Sequence, residues 1–228
     1  MTLIKHRSPL LIILSCFLLI SCNHTSDDDS ANSEQGEVQY TVTFDSTWSD
    51  LTHPDDFPSS PHFSGLIGAT HNMNVELWKV GELASAGIEQ VAETGSKSVF
   101  QTEINDQITI GDTNQLISEG GINPSPSDLS FTVTMHPSYS FITLVSMVAP
   151  SPDWIIGVAG LNLMENGVWV ESKTVDLYVY DAGTDDGVSY TAANADSNPK
   201  QFISRIEHSP FLVNGSVKPI GTMSFVKN

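Results

Sequence analysis

The sequence predicts an all-β domain built as an antiparallel sandwich, and three observations predict it. Residues 38–44 alternate: Val38, Tyr40, Val42 and Phe44 are separated by Gln39, Thr41 and Thr43, and residues 131–135 repeat the pattern. That alternation, rich in β-branched and aromatic side chains, is the period of a half-buried strand. Similar segments recur to the end of the chain, separated by Pro, Gly, Asp and Asn, the residues of turns. Several such strands with no fixed internal repeat imply a sandwich.

In chain order, residues 38–44 are the first strand. Residues 83–93 read as one short helix beside the sheet. Residues 131–135 are an alternating strand. Residues 140–148 are nearly all apolar, which fits a strand buried on both faces. Further strands are expected at residues 154–163, 168–170, 202–206 and 221–226.

The amino-terminal end carries different signals. Lys5 and Arg7 precede an apolar run, residues 10–20, interrupted by Ser15 and Cys16. The run is too short for a stable membrane-spanning helix, and a small-residue cleavage site follows it. That site, Leu19, Ile20, Ser21 and Cys22, resembles the lipobox of bacterial lipoproteins, in which the cysteine becomes the lipidated amino-terminus. Cys16 is a poor competitor because Phe17, Leu18, Leu19 and Ile20 follow it, whereas polar residues follow Cys22. The expected organisation is a signal peptide over 1–21, a lipidated Cys22 with a flexible acidic tether over 22–37, and a domain over 38–228. The tether holds Asp27, Asp28 and Asp29 and too few apolar residues to fold. An acidic cluster there also resembles the surface-export signal of some lipoproteins. The expected location is the cell envelope, at the outer membrane or cell surface, held to the membrane by the lipid alone. With Cys16 removed and Cys22 lipidated, no disulfide is expected, and about 200 residues bury a core without one.

Lys and Arg number 9 against 27 Asp and Glu, a net charge of −18. Losing Lys5 and Arg7 leaves 7 against 27, or −20. Such a surface repels nucleic acid, anionic lipid and sulfated glycans, and favours cations.

Four segments carry a family resemblance. The first holds Trp48, Ser49, His53, Pro54, Phe57 and Pro58. The second runs through His62, Phe63, Ser64 and residues 66–72. The third holds Leu77, Trp78, Gly81, Ala84, Ser85, Gly87, Ile88 and residues 92–95. The fourth pairs Pro150, Ser151, Pro152, Asp153 and Trp154 with residues 176–178 and 181–187. In this order and spacing they resemble the spondin amino-terminal domain family. The resemblance implies an eight-stranded antiparallel sandwich of the synaptotagmin-like calcium-binding type, with a role in adhesion and recognition. It also implies that Asp153, Asp181 and Asp185 are calcium ligands. Met164 stands where animal members carry a cysteine, so their disulfide is not expected, and partners of the animal proteins are not carried over. A further acid found in some relatives corresponds to the region of Thr134, which is uncharged.

The residues support the metal reading independently. Calcium takes six to eight oxygen ligands in a flexible shell. Asp153 lies in a loop braced by Pro150 and Pro152, which cannot join a ladder. Asp181 and Asp185 are four apart in a loop containing Gly183 and ending at Gly187, which lets the backbone curl. Single loop aspartates usually cap turns. Asp186 and Asp176 are weaker metal candidates, Asp186 reading as solvated and Asp176 as paired or facing solvent.

No catalytic constellation stands out. His53, His62, His71 and His136 match no zinc spacing and read as structural; the resemblance implies packing and turn motifs for His53, His62 and His71. Ser64 and Ser85 lack the Gly-x-Ser-x-Gly context of a hydrolase, and no phosphate loop or dinucleotide fingerprint occurs. Trp48, Trp78, Trp154 and Trp169 could form a sugar-stacking platform, but their strand contexts suit core packing for at least two of them. The leading expectation is a non-catalytic, calcium-binding module for a cell-surface, matrix or glycan ligand. A calcium-dependent carbohydrate-acting enzyme or accessory protein is the alternative, and a purely structural envelope protein is a third reading.

Overall fold

A computed structural model describes residues 36–228 as two antiparallel sheets and two short helices. The signal peptide, Cys22 and nearly all of the expected tether lie outside the described residues. One sheet has four strands: β10 (Ser172–Leu177), β15 (Gly221–Lys227), β1 (Val38–Ser46) and β5 (Ser127–Met135), in that order. The other runs β12 (Ser204–Arg205), β11 (Tyr180–Asp181), β7 (Trp154–Asn162), β6 (Phe141–Ala149), β3 (Ile67–His71) and β4 (Thr113–Ser118), with β2 (His62–Phe63) also on β6. Two small hairpins, β8–β9 (Met164–Glu165 and Val168–Trp169) and β13–β14 (Leu212–Val213 and Ser216–Val217), stand apart. The β1–β15 ladder continues into the backbone bond from Asn228 N–H to Gln39 O, so the two ends of the domain lie side by side.

The alternation read from the sequence sets the faces. Tyr40, Val42 and Phe44 of β1, Val133 and Met135 of β5, and Met223 and Phe225 of β15 share one core with Ile142, Leu144, Ile156 and Val158 of the other sheet. The outer face of that second sheet, with Ile67, Ala69, Val145 and Ile155, has a core of its own. Helices α1 (Ala86–Thr94) and α2 (Ser98–Ile110) cover it with Ile88, Val91, Ala92, Phe100 and Ile104. Strand β6 therefore has eight of its nine residues buried, as its continuous apolar run requires.

Two helices, rather than the single one expected, correct the sequence reading. Helix α1 starts at Ala86 and not at residue 83, because Leu83 forms an extended bridge with Phe202. Ser85 caps it, accepting from Ile88 N–H at 3.2 Å. Helix α2 contains Val99, Thr102, Ile104, Ile108, Thr109 and Ile110, β-branched residues that lower helix propensity. It forms because Phe100 and Ile104 bury against the sheet and Glu103 ties it to α1. Glu103 accepts from Gly87 N–H at 2.7 Å and from Ser85 Oγ at 2.6 Å. A Cβ on Gly87 would lie 2.5 Å from Phe100 Cα, so the helices meet only at glycine.

Candidate metal centre

Strand pairing gathers the aspartates. Asp153 closes the Pro-braced turn ahead of β7, where Ser151 Oγ accepts from Trp154 N–H at 3.0 Å. In the β7–β11 register Trp154 faces Asp181, and Ala182 N–H donates to Asp153 O at 3.1 Å. The chain then turns at Gly183, which has φ 74° and whose added Cβ would lie 2.3 Å from Gln201 O. Only glycine takes that backbone with that neighbour. The turn sends Thr184 and Asp185 back over Asp153.

Asp153 is fully buried. Its Oδ2 accepts from Thr184 N–H at 2.7 Å, Asp185 N–H at 3.1 Å and Thr184 Oγ1 at 3.3 Å. Its Oδ1 is buried with no partner, although buried oxygens are nearly always satisfied. Burial, reinforced by the charge of Asp181, pushes the Asp153 carboxyl up to about 6 against those three hydrogen bonds. Burial also raises Asp181, opposed by the bond its Oδ1 accepts from Gly183 N–H at 2.7 Å.

Asp185 is placed differently. Its N–H serves Asp153, while its own carboxylate accepts from Gly187 N–H at 2.7 Å and Ala195 N–H at 2.8 Å. The structure thus brings Asp153 and Asp181 together as an interacting pair and turns the Asp185 carboxylate onto the loop's own amides. Among the described residues no group of three His, Cys, Asp or Glu side chains is arranged to hold a metal ion. In chemistry the donors still fit a hard cation, since a buried carboxylate oxygen without a partner beside a second carboxylate is what such an ion neutralises. Asp186 is exposed and accepts from Ser197 Oγ at 2.5 Å, and Asp176 is exposed on β10. Thr134 lies on β5, opposite Gln39 of β1, in the four-stranded sheet and not in the sheet that carries Asp181.

Two residues at this loop were not among the site candidates read from the sequence. Lys200 Nζ donates to Thr184 O at 3.1 Å and to Glu89 Oε1 at 2.9 Å, fastening the loop to α1. Thr184 supplies two of the three donors to Asp153. The other sequence candidates are dispersed. His71 is buried between Asn72 O at 2.7 Å and Thr143 Oγ1 at 2.8 Å, and His53 packs its ring edge-on near Phe211. Burial lowers the pKa of both. Ser85 is the helix cap, and Ser64 Oγ accepts from Met147 N–H at 2.9 Å. All four tryptophans are buried.

The chain matches the Spondin_N family over residues 38–214. It is 30% identical to spondin-2 of Rattus norvegicus over 176 residues, 75% of this chain and 53% of that protein. It is 36% identical to spondin-1 of Rattus norvegicus over 191 residues, and 34% identical to spondin-1 of Gallus gallus over 198 residues. These alignments cover 77% and 80% of this chain, but 23% and 24% of the two spondin-1 proteins. The chain thus spans about half of the spondin-2 and a quarter of the spondin-1 it matches. Met164 follows β7, where the animal disulfide was expected to be missing, and no described residue is a cysteine. With the match running from the first strand to the β13–β14 hairpin, the chain belongs to the Spondin_N family.

Proposed function

We propose that this domain is an extracellular, non-catalytic recognition module of the adhesion type, held to the cell envelope by lipid on Cys22. Its ligand is a cell-surface, matrix or glycan molecule. One calcium ion is held by Asp153 and Asp181, with Asp185 as the third carboxylate. The observation that carries the calcium reading is Asp153 Oδ1, buried without a partner beside Asp181. When bound, calcium supplies the positive charge that balances these carboxylates. Thr184 and Asp185 orient Asp153 through its other oxygen, and Gly183 and Lys200 set the loop. Buried His71 is hydrogen-bonded through both ring nitrogens, and Ser64 and Ser85 are hydrogen-bonded within the fold.

Expression of the full chain with labelled fatty acid, followed by an array of glycans and matrix proteins in calcium or chelator, tests the reading. Labelling lost in Cys22→Ala, with saturable calcium-dependent binding on the array, is the expected result. Turnover of an arrayed glycan, lost on mutating a pocket residue, would instead favour the carbohydrate-acting reading. Labelling that persists in Cys22→Ala would remove the anchor.

A further inference from the structure

The second sheet is left open along one strand. Pairing of β7 with β11 ends at Ile155 opposite Tyr180. Beyond that point, residues 157–162 are bonded to β6 on one side, and no described strand pairs with the other. The chain reaches β11 from β10, which belongs to the first sheet and pairs only with β15. A groove opens between the two edges, about 290 Å³ in volume, lined by Trp78, Val80, Gly157–Asn162, Val175, Asp176 and Tyr180. A second hollow of about 290 Å³ adjoins it through Trp78, Ala159 and Gly160, and adds Val75 and Phe141. The Lys173–Glu165 ion pair at 3.1 Å lies at the far end of this edge.

Exposed strand edges are ordinarily guarded by charge, proline or a covering element, because their free N–H and C=O groups recruit other strands. Residues 157–162, Gly-Val-Ala-Gly-Leu-Asn in order, carry neither charge nor proline. Their one break in register with β6 is a bulge opposite Ile142–Leu144, where Gly160 takes φ 61° and donates its N–H to Thr143 Oγ1 at 2.8 Å. Ala159 and Gly160 are exposed, and a Cβ on Gly160 would meet nothing within 4 Å. Six residues at about 3.3 Å each span roughly 20 Å, with regular register to β6 at residues 157–158 and 161–162 on either side of the bulge. The exposed charges beside it are Glu76, Glu82 and Asp176 against Lys79, which is itself 2.9 Å from Glu76, and Arg205, which stands opposite Tyr180 and is paired with Glu207 at 2.5 Å.

We propose that the open edge of β7 over residues 157–162 docks an extended, cationic peptide segment of a partner as a further strand of the second sheet. Main-chain hydrogen bonds give such an addition its affinity, and alternate side chains give it selectivity. Here alternate apolar side chains enter the groove beside Trp78 and Tyr180, and Lys or Arg faces Glu76, Glu82 and Asp176. A second copy of the chain is disfavoured, because it would bring the same acids together on a molecule of net charge −18. The proposal deepens the recognition reading and rests on it only in that the domain works by binding.

The probe is a blocked octapeptide of alternating Lys and Val, titrated by calorimetry in chelator so that the Asp153 site plays no part. It should bind, and an alternating Glu and Val peptide should bind about tenfold more weakly or not at all. A Lys and Val peptide N-methylated at alternate residues should lose binding. Amide exchange at residues 157–162 should slow with the unmodified probe. Asp176→Lys, at an exposed position, should weaken the probe several-fold with unchanged melting. Equal binding of the N-methylated and unmodified peptides, or unchanged exchange at residues 157–162, overturns strand addition. Light scattering that shows a dimer dispersed by Ala159→Arg would assign the edge to a second copy instead. Calcium-dependent binding on the array is unaffected by any of these outcomes, so the two readings fail separately.

Discussion

Glu103 and Asp153 are both carboxylates that fasten a neighbouring segment, and they finish the task differently. Glu103 uses both oxygens, one on Gly87 N–H and one on Ser85 Oγ, so it is complete as it stands. Asp153 gathers three donors on Oδ2 and leaves Oδ1 buried and unserved, with Asp181 as its charged neighbour. A satisfied carboxylate cements a helix pair. An unsatisfied one in the same protein stores a demand for positive charge or for a proton. The difference separates a polar cluster that is closed on itself from one that is left open.

The largest expected effect separates them by pH. The folded value of Asp153, about 6, lies above the ordinary unfolded value of about 3.9. Its contribution to metal-free stability is therefore fully present below the unfolded value and is lost as pH rises through about 6. Two units of difference correspond to about 3 kcal/mol at pH 7. Chemical denaturation in chelator should show wild type losing about that much more stability than Asp153→Asn between pH 4 and pH 7. Parallel pH profiles would mean that Asp153 carries no stored penalty.

Calcium should act next in size, and on the same side of the comparison. At a hundredfold excess over its dissociation constant a ligand adds roughly 2.7 kcal/mol, which raises the melting temperature of a domain this size by roughly 5–10 °C. Magnesium should substitute poorly, since it demands a smaller octahedral shell. Calorimetric melting of wild type and Asp181→Asn, each in chelator and in calcium, checks this: wild type should respond and the variant should not. A wild-type domain that melts identically in both conditions removes the metal site.

Glu103→Ala should be destabilising by about 2 kcal/mol, since it strands Gly87 N–H and Ser85 Oγ. Unlike the Asp153 effects, this loss should be the same with and without calcium, as paired denaturation curves would reveal. The smallest effect belongs to Asp186→Asn. At that exposed position the change should stay within about 0.5 kcal/mol and leave the calcium response intact. A lost response would place Asp186 in the ion's shell.

Strands β1, β5, β6, β7 and β15 were legible because their burial follows alternation or a continuous apolar run. Strand β4, with Thr113, Asn114 and Gln115, and strand β10, with Ser172, Lys173 and Thr174, were not, because polar edge strands lack that contrast. Helix α2 was hidden for the reverse reason: its β-branched residues favour a strand, and tertiary packing overrides them. At the site, the nearness of Asp153 and Asp181 follows from two loops at one end of a sandwich. The turning of Asp185 toward Ala195 N–H does not, since it depends on a chain segment ten residues on that returns through the Asp185–Asp196 bridge.

Strand β1 also fixes a line of force. Its first residue, Val38, stands opposite Met135, and its last, Ser46, leads into Trp48, whose ring lies 5.7 Å from that of Tyr190. Tyr190 in turn lies 5.1 Å from Trp154, next to Asp153. Whatever precedes residue 36 therefore enters at the end of β1 opposite the aspartate loop, about 30 Å away for nine residues of strand. A pull between residue 38 and the aspartate loop runs along β1. It loads the ladders to β15 and β5 in shear, so that many hydrogen bonds must fail together. A pull between residues 38 and 228 would instead peel β1 from β15 one pair at a time.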